Sequence, residues 1–336
     1  MSNTDKMSQH RVATIEPWYI TEEQFRPERN EIAESLFSLA NEYMGTRGNF
    51  EEGFGGELTL PGCYIGGIYV KEQQAYPWKR KAFPDFVNSM VNTANWLEIL
   101  VEVDGESLDL HSSQASEYRR SLDMRQGILS RQLVFTTRSG AVTRLSWERF
   151  VSHDDPHLGA IRLSVQAIGH TRPVKLTFAI DGKKENRDHA TSRIHTRMVL
   201  QNASDADTFL LSNILTTGQY TIHRMHVETP ALRDLRREYL KSDKRVASVL
   251  TFTPEPGVEH VFDKMVSVWT SRDAGYPHGL IPKSENRTTV DADQEKEVVE
   301  FLLEKSRENL ALYEGGGFDR ARDAHAKKSG PSLGSL

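Results

Sequence analysis

The sequence has a single cysteine, Cys63, in 336 residues. One thiol cannot close a disulfide within the chain, which excludes a small scaffold stapled by disulfides and favours a reducing compartment, the cytoplasm. Cys63 itself reads as a small apolar packing residue. Long apolar runs are missing too. None approaches the roughly 18 residues that a membrane-spanning helix needs, and Met1 to Thr14 is polar with no signal-peptide core, so no membrane partner is expected. There is also no surplus of basic charge. The 42 Lys and Arg face 47 Asp and Glu, a formal net charge of -5, which opposes nucleic-acid binding through counterion release.

What is present is a strand-rich pattern. From Ile15 to Arg272, short alternating apolar runs are broken by Gly, Pro and Asp. A hairpin is predicted where Arg131 to Thr137 carries Leu133 and Phe135, turns at Arg138-Ser-Gly140 and returns as Val142 to Val151. A second hairpin is predicted from Leu163, Val165 and Ala167 through Gly169 to Val174, Leu176, Phe178 and Ile180. Further strands are expected over Trp96 to Val103, Met198 to Gln201, Thr208 to Leu211, Ala247 to Thr253 and Val261 to Thr270. The charged run from Arg233 to Arg245 reads as a solvated helix or loop. The length permits one large β domain or two domains. Together these features predict a mainly β chain built as a large antiparallel β-sandwich.

Near Pro282 the pattern changes. The acids of Asp291 to Glu297 suit a helix N-terminus, Val298, Val299, Leu302, Leu303, Leu310 and Tyr313 follow at largely helical spacing, and Gly315 to Gly317 stops the run. A second helix starts near Phe318 and gives way to a tail over 329–336 too polar to fold alone. The expected division is a flexible 1–14, a β-sandwich over 15–282 and a helical segment over 283–336.

Three segments carry a resemblance. The first is Glu34-Ser-Leu-Phe-Ser-Leu-Ala-Asn-Glu-Tyr-Met-Gly-Thr-Arg-Gly-Asn-Phe-Glu-Glu52 with Pro61-Gly-Cys-Tyr-Ile-Gly-Gly-Ile-Tyr69. The second is Trp96 to Glu106 running on to Glu117-Tyr-Arg-Arg-Ser-Leu-Asp-Met-Arg-Gln-Gly127. The third is Arg149-Phe-Val-Ser-His-Asp-Asp-Pro-His157 with the strand beginning at Ile161-Arg162. Together they resemble the N-terminal region of glycoside hydrolase family 65, which includes maltose, kojibiose, nigerose and trehalose phosphorylases and some α-glucosidic hydrolases. Glu42 departs from the family's usual Gly.

The resemblance implies a galactose-mutarotase-like sandwich, then a helical linker leading into an (α/α)6 barrel that has no counterpart in this chain. It implies a carbohydrate-active enzyme that cleaves α-linked glucose disaccharides, by phosphate attack with inversion to give glucose 1-phosphate, or by water in the hydrolases. The general acid is a Glu of the barrel. This chain is thus expected to hold no catalytic residue and to be inactive alone. Inorganic phosphate is the co-substrate, no other cofactor is expected, and a homodimer is the candidate assembly. The apolar side of Val298, Leu302 and Leu310, with the surface near Arg47, should be covered by the barrel. At about 25 cal/mol per Å², roughly 400 Å² of such surface left in water represents about 10 kcal/mol, so self-association or fraying is expected.

The candidate substrate-binding or barrel-facing residues are Asn41, Tyr43, Arg47 and Asn49, in a Gly-punctuated loop. Tight turns and an Arg47 pair with Glu51 or Glu52 are the bland alternative. Gly53-Phe-Gly-Gly56 lacks the context of a phosphate cradle. His153, Asp154, Asp155 and His157 mimic a metal cluster, but the Asp-Asp-Pro turn favours capping of backbone amides over metal binding. Tyr64, Tyr69, Tyr76, Trp78 and Trp96 suit either sugar stacking or, by preference, core packing. Two other readings stand beside the first: a self-standing carbohydrate-binding β-sandwich, and an aldose-mutarotase-like enzyme in which His153 or His170 would face a carboxylate.

Overall fold

β-branched and aromatic residues at alternating positions set the architecture of the computed structural model, which describes residues 12–73, 85–187, 192–273 and 292–329. In chain order, the strands of the first half are β1 Thr14–Ile15, β2 Tyr19–Glu22, β3 Leu39–Ala40, β4 Met44–Thr46, β5 Cys63–Ile65, β6 Tyr69–Gln73, β7 Phe86–Met90, β8 Ile99–Val103, β9 Glu106–Ser107, β10 Gln114–Asp123 and β11 Ile128–Thr136. The second half holds β12 Val142–Val151, β13 Leu158–Ile168, β14 Val174–Asp181, β15 Asn186–Arg187, β16 Ser192–Arg193, β17 Thr196–Ala203, β18 Thr208–Ile214, β19 Tyr220–Glu228, β20 Arg236–Ser242, β21 Arg245–Phe252 and β22 Glu259–Thr270. The helices are α1 Asn30–Leu36, α2 Ala292–Ala311 and α3 Gly317–Ser329.

Ten strands form one sheet in the order β1-β2-β10-β11-β12-β13-β22-β19-β18-β17, and five form another in the order β20-β21-β14-β8-β9. Their inner faces share one core, in which Leu133, Phe135, Leu145 and Trp147 of the large sheet join Ile99, Leu176, Phe178 and Leu250 of the small one. Lys264, fully enclosed on β22, ties the layers together. Its ammonium donates to the carbonyls of Trp96 (2.6 Å), Ala179 (2.7 Å) and Glu98 (3.1 Å).

The first predicted hairpin is present as β11 and β12, with Leu133 opposite Leu145 and Gly140 at φ +84° in the turn. The second is not a hairpin. β13 pairs with β12 and β22 in the large sheet, whereas β14 pairs with β21 and β8 in the small one. The connection from Gly169 to Pro173 crosses between the layers, about 10 Å apart in such sandwiches. The charged run from Arg233 to Arg245 is not a helix or loop either, but contains the edge strand β20. Its alternately exposed, charged side chains suit an edge that must not recruit another chain.

The two C-terminal helices overturn a third expectation. Val298 and Leu302 are fully buried, packed with Phe209, Leu211, Tyr220 and Ile222 on the outer face of the large sheet. Leu310, Phe318 and Ala321 pack with Ile128, Phe150, Leu158, Ala160 and Met265. The apolar stripe expected to await a barrel is therefore covered by this chain's own sheet. Its strands carry apolar residues on both faces, as strands enclosed on both sides do. Trp96 is in the core at 2% exposure, Tyr64 is half-buried, Tyr69 is exposed, and Tyr76, Trp78 and the junction at Pro282 lie outside the described residues. Among the described residues no helix is long and apolar enough to cross a membrane.

Candidate functional site

The loop from Asn41 to Glu52 leaves α1 through the short strands β3 and β4 and has two differently built halves. In the first, Asn41 closes a turn on itself, its Oδ1 accepting the amides of Tyr43 and Met44 at 2.8 Å. Its Nδ2 donates to the carbonyls of Ser152 (2.6 Å) and Pro156 (3.1 Å), which docks the loop on the turn after β12. The Tyr43 hydroxyl donates to Asp273 Oδ2 at 2.9 Å, and its ring lies 4.4 Å from that of His157. His157 in turn stacks on Trp269 at 3.6 Å and 2°. The bond from His157 Nδ1 to the Val268 carbonyl, 2.9 Å, puts the proton of the neutral ring on Nδ1. Burial, with the Asp273 charge beside it, drives the Tyr43 phenol well above its ordinary range, and burial also raises the Asp273 carboxyl.

The Asp-Asp-Pro turn caps amides as its sequence suggests. Ser152 Oγ accepts the amides of Asp154 (3.2 Å) and Asp155 (3.0 Å), and Asp155 Oδ1 accepts that of His157 (3.0 Å). Asp155 Oδ2 also takes Asn309 Nδ2 (2.6 Å) and the Tyr313 hydroxyl (3.0 Å), fastening α2 to the same turn. His153 offers its backbone amide to Nδ1 of His325, and His170 is within 3.0 Å of the Thr143 hydroxyl. Among the described residues no group of three or more His, Cys, Asp or Glu side chains is placed to hold a metal ion.

The second half of the loop rests on three buried arginines from neighbouring strands. Gly48 admits this approach, because a Cβ there would stand 2.6 Å from the Phe37 Cβ and 2.9 Å from its carbonyl. Arg149 of β12 donates to the carbonyls of Asn49 (2.9 Å) and Arg47 (3.0 Å) and to Glu51 Oε1 (2.8 Å). Arg131 of β11 forks to Glu51 Oε2 (2.8 Å) and to both oxygens of Glu52, Oε1 at 2.6 Å. Arg120 of β10 holds Glu22 through Nε (3.0 Å) and a terminal nitrogen (2.8 Å), and gives its other terminal nitrogen to the Gly48 carbonyl (2.8 Å). Arg131 also lies over the Trp147 ring at 3.9 Å, and Arg120 over Phe37 at 4.3 Å. Three guanidiniums thus meet three carboxylates, all nearly sealed from water.

The Arg47 side chain is not part of this lattice, although its carbonyl accepts Arg149. Its guanidinium donates to the Glu31 carbonyl (3.1 Å) and Ser35 Oγ (2.9 Å), so the alternative in which Arg47 pairs with Glu51 or Glu52 does not hold, and Arg131 and Arg149 take those carboxylates. Burial alone would raise the Glu51 carboxyl, but Arg149 and Arg131 outweigh it and hold the group below its usual value. Glu52 shares Arg131 with Glu51, burial prevails there, and its carboxyl is raised. The cavity beside the network measures about 10 Å³, room for no more than a water. Sequence reasoning missed Arg120, Arg131 and Arg149. A signal was available, since Arg131 and Arg149 fall at inward register positions beside Leu129, Leu133, Trp147 and Val151, where a charge must find a partner.

Asn41 and Tyr43 therefore converge on the Ser152–His157 turn, Arg47 reaches α1, and Asn49 is enclosed beneath the loop. The three segments singled out in the sequence meet here as one buried lattice within a two-layer β protein with docked helices. That class has a family. Residues 20–313 match the N-terminal domain of glycosyl hydrolase family 65, and the chain belongs to that family. Kojibiose phosphorylase of Thermoanaerobacter brockii is 31% identical over 270 residues, 76% of this chain and 33% of the relative. Maltose phosphorylase of Bacillus subtilis is 28% identical over 330 residues, covering 96% and 39%. The α,α-trehalose phosphorylase of T. brockii is 29% identical, covering 77% and 35%. A solved structure from the human microbiome, proposed to be a kojibiose phosphorylase, shares the fold at a TM-score of 0.73 and 23% identity, over 95% of this chain and 38% of that one. The chain thus spans between a third and two fifths of the length of these relatives.

Proposed function

We propose that this chain serves as the non-catalytic N-terminal region of a carbohydrate-active enzyme that cleaves α-glucosidic disaccharides by inverting phosphorolysis to glucose 1-phosphate. Inorganic phosphate is then the co-substrate, an α-linked glucose disaccharide the substrate, and the general acid lies outside this chain. The names of the relatives support the reaction. One observation carries the non-catalytic role: Glu22, Glu51 and Glu52, the carboxylates of the buried lattice at the loop, are each matched by an arginine and closed to a sugar. A general acid or base has to reach its substrate within hydrogen-bond distance. In this reading the loop with Asn41, Tyr43, Arg47 and Asn49 is a rigid part presented to the catalytic domain.

A second reading, a self-standing carbohydrate-binding sandwich, gains from the docked helices, because α2 and α3 already have partners on their own sheet. Incubating the purified chain with maltose, kojibiose, nigerose and trehalose, with and without phosphate, separates the readings. The first expects no glucose, no glucose 1-phosphate and no saturable heat of sugar binding. Saturable binding without turnover favours the second. Turnover abolished by a substitution in this chain overturns both.

A further inference from the structure

At the open edge of the sandwich, the C-terminal end of α2 roofs a cavity of about 70 Å³ whose walls come from β19 of the large sheet and from β20 and β21 of the small one. Three arginines line it: Arg224 on β19, Arg237 on β20 and Arg307 on α2. Asp207, the least exposed carboxylate of the lining, is already engaged twice, by Arg224 and by Arg307 at 3.6 Å. Arg237 has no carboxylate partner among the described residues. It donates over long distances to neutral oxygens, the Tyr239 hydroxyl (3.3 Å), the Val227 carbonyl (3.3 Å) and Thr229 Oγ (3.4 Å). Tyr239 stands opposite Ser248 in the strand register, so Arg237, Tyr239 and Ser248 share one face of the small sheet. Ser248 is 2% exposed and lines the cavity, and its hydroxyl meets no hydrogen-bonding partner. An enclosed polar group without a partner is costly, and here it stands beside a guanidinium with N–H groups to spare.

We propose that this cavity binds one small tetrahedral oxyanion, inorganic phosphate or the phosphoryl group of a sugar phosphate, on the guanidinium of Arg237 and the hydroxyl of Ser248. Of the three guanidiniums, Arg224 and Arg307 meet Asp207, which leaves Arg237 as the cation of the lining without a carboxylate against it. The remaining acids of the lining, Asp205 and Glu314, bring its formal charge to zero, and Asp205 accepts the Tyr239 hydroxyl at 2.7 Å, but both are exposed, so water and salt screen them. Burial, with the neighbouring Arg307, lowers the Arg224 guanidinium to about 10. The negative pole of α2 does not point unopposed at the anion, because Arg320 takes the carbonyls of Leu312 (3.3 Å), Glu314 (3.0 Å) and Gly315 (2.7 Å). A planar guanidinium fork matches phosphoryl oxygens, and the volume suits one such group but falls well short of the roughly 300 Å³ or more typical of larger ligands. The inference does not rest on the activity proposed above, since every group it uses belongs to this chain.

Calorimetry of the purified chain at constant ionic strength tests it, with inorganic phosphate and glucose 1-phosphate as probes and chloride as the anion control. Saturable one-site binding of at least one probe is expected, weakened about tenfold by Arg237→Gln and severalfold by Ser248→Ala. Binding of phosphate with exclusion of glucose 1-phosphate identifies a free anion, and equal or tighter binding of glucose 1-phosphate identifies a phosphoryl group carried on a sugar. Circular dichroism verifies that each variant is folded. Should Arg237→Gln fail to fold, Arg307→Gln takes its place, because that side chain is 67% exposed, with severalfold weakening expected. No saturable heat with either probe, or unchanged affinity in the folded arginine variant, overturns the proposal.

Discussion

The two faces of the ten-stranded sheet are held to their neighbours by different chemistry. On the inner face, the loop from Arg47 to Glu52 is seated on full charges, with Arg120, Arg131 and Arg149 facing Glu22, Glu51 and Glu52. On the outer face, α2 and α3 are seated mainly on buried apolar side chains and hydrogen bonds, and the ion pairs that join them to the sheet, Arg162 with Asp319, Arg322 with Glu148 and Lys328 with Asp154, are far more open to water than those of the inner seat. Ser267 Oγ donates to Asn309 Oδ1 at 2.6 Å, and His325 stacks on Phe150 at 4.8 Å while Gly127 and His153 occupy its two nitrogens. A buried ion pair resists partial opening, because releasing one member strands the other in a medium of low dielectric. A helix on an apolar bed can lift off at a cost that grows with the area exposed. The inner seat therefore fixes one loop geometry, and the outer seat is the side that yields first.

The largest effect should come from removing one charge of the inner seat. Arg131→Met leaves Glu51 and Glu52 facing each other without their shared cation, and about 3 to 5 kcal/mol should be lost in urea unfolding. Replacing Arg131, Glu51 and Glu52 together by apolar residues of similar volume should cost less than Arg131→Met alone. If the single change costs under about 1 kcal/mol, the lattice is not what seats the loop.

On the outer side, Leu302→Ala removes an apolar side chain at 0% exposure beneath α2 and should cost about 2 to 5 kcal/mol. The distribution of the loss separates the two faces. Hydrogen exchange should speed up in α2 and α3 well before the strands β10 to β12, and uniform acceleration would show that both faces open as one unit.

Acid should distinguish the faces with a smaller effect. Burial, with His153 beside it, lowers the His325 imidazole from 6.5 to about 4 in the folded chain. The folded state therefore favours the neutral ring. The stability this provides is complete above about pH 6.5 and is lost as pH falls from there toward 4. Protonation of Nδ1 would also end its acceptance of the His153 amide. Glu51 behaves oppositely in position: its folded carboxyl is lowered, so its contribution is present above the ordinary carboxylate range and fades only below it. Between pH 6.5 and 5, exchange corrected for its intrinsic pH dependence should rise in α3 and not at the loop. His325→Asn should flatten that rise.

How much of this was legible varies from segment to segment. β11 and β12 could be read because alternation and a glycine turn are local, and both ends of the hairpin lie within one stretch of chain. The same alternation over β13 and β14 was misleading, since period two says which face is buried and not which strand is the neighbour. The docking of α2 was written in Phe209, Leu210 and Leu211, three successive apolar residues on a strand buried along its whole length, as a doubly covered strand is, but it reads only once the helix and the strand are considered together. The loop from Asn41 to Glu52 stood out by its residues. Its partners Arg131 and Arg149 lie about 80 and 100 positions away, at separations that no spacing rule spans.

The last and smallest test concerns a residue that neither face uses. His223 on β19 is 1% exposed, and both its ring nitrogens lack a hydrogen-bonding partner. Burial lowers its imidazole from 6.5 to about 3, so the folded chain keeps it neutral, and stability is surrendered as pH falls from about 6.5 toward 3. Leucine is close to histidine in volume and brings no polar atom into the core. His223→Leu should therefore raise stability at pH 7 by about 1 kcal/mol and raise it further at pH 5, where the imidazole of the unfolded chain is largely protonated. The change should make the acid dependence of global unfolding shallower and leave the pH response of α3 as it was, which isolates the contribution of His325. If His223→Leu destabilises the chain at both pH values, the imidazole has a partner in solution, and the acid sensitivity assigned to the outer face must be measured afresh with that partner included.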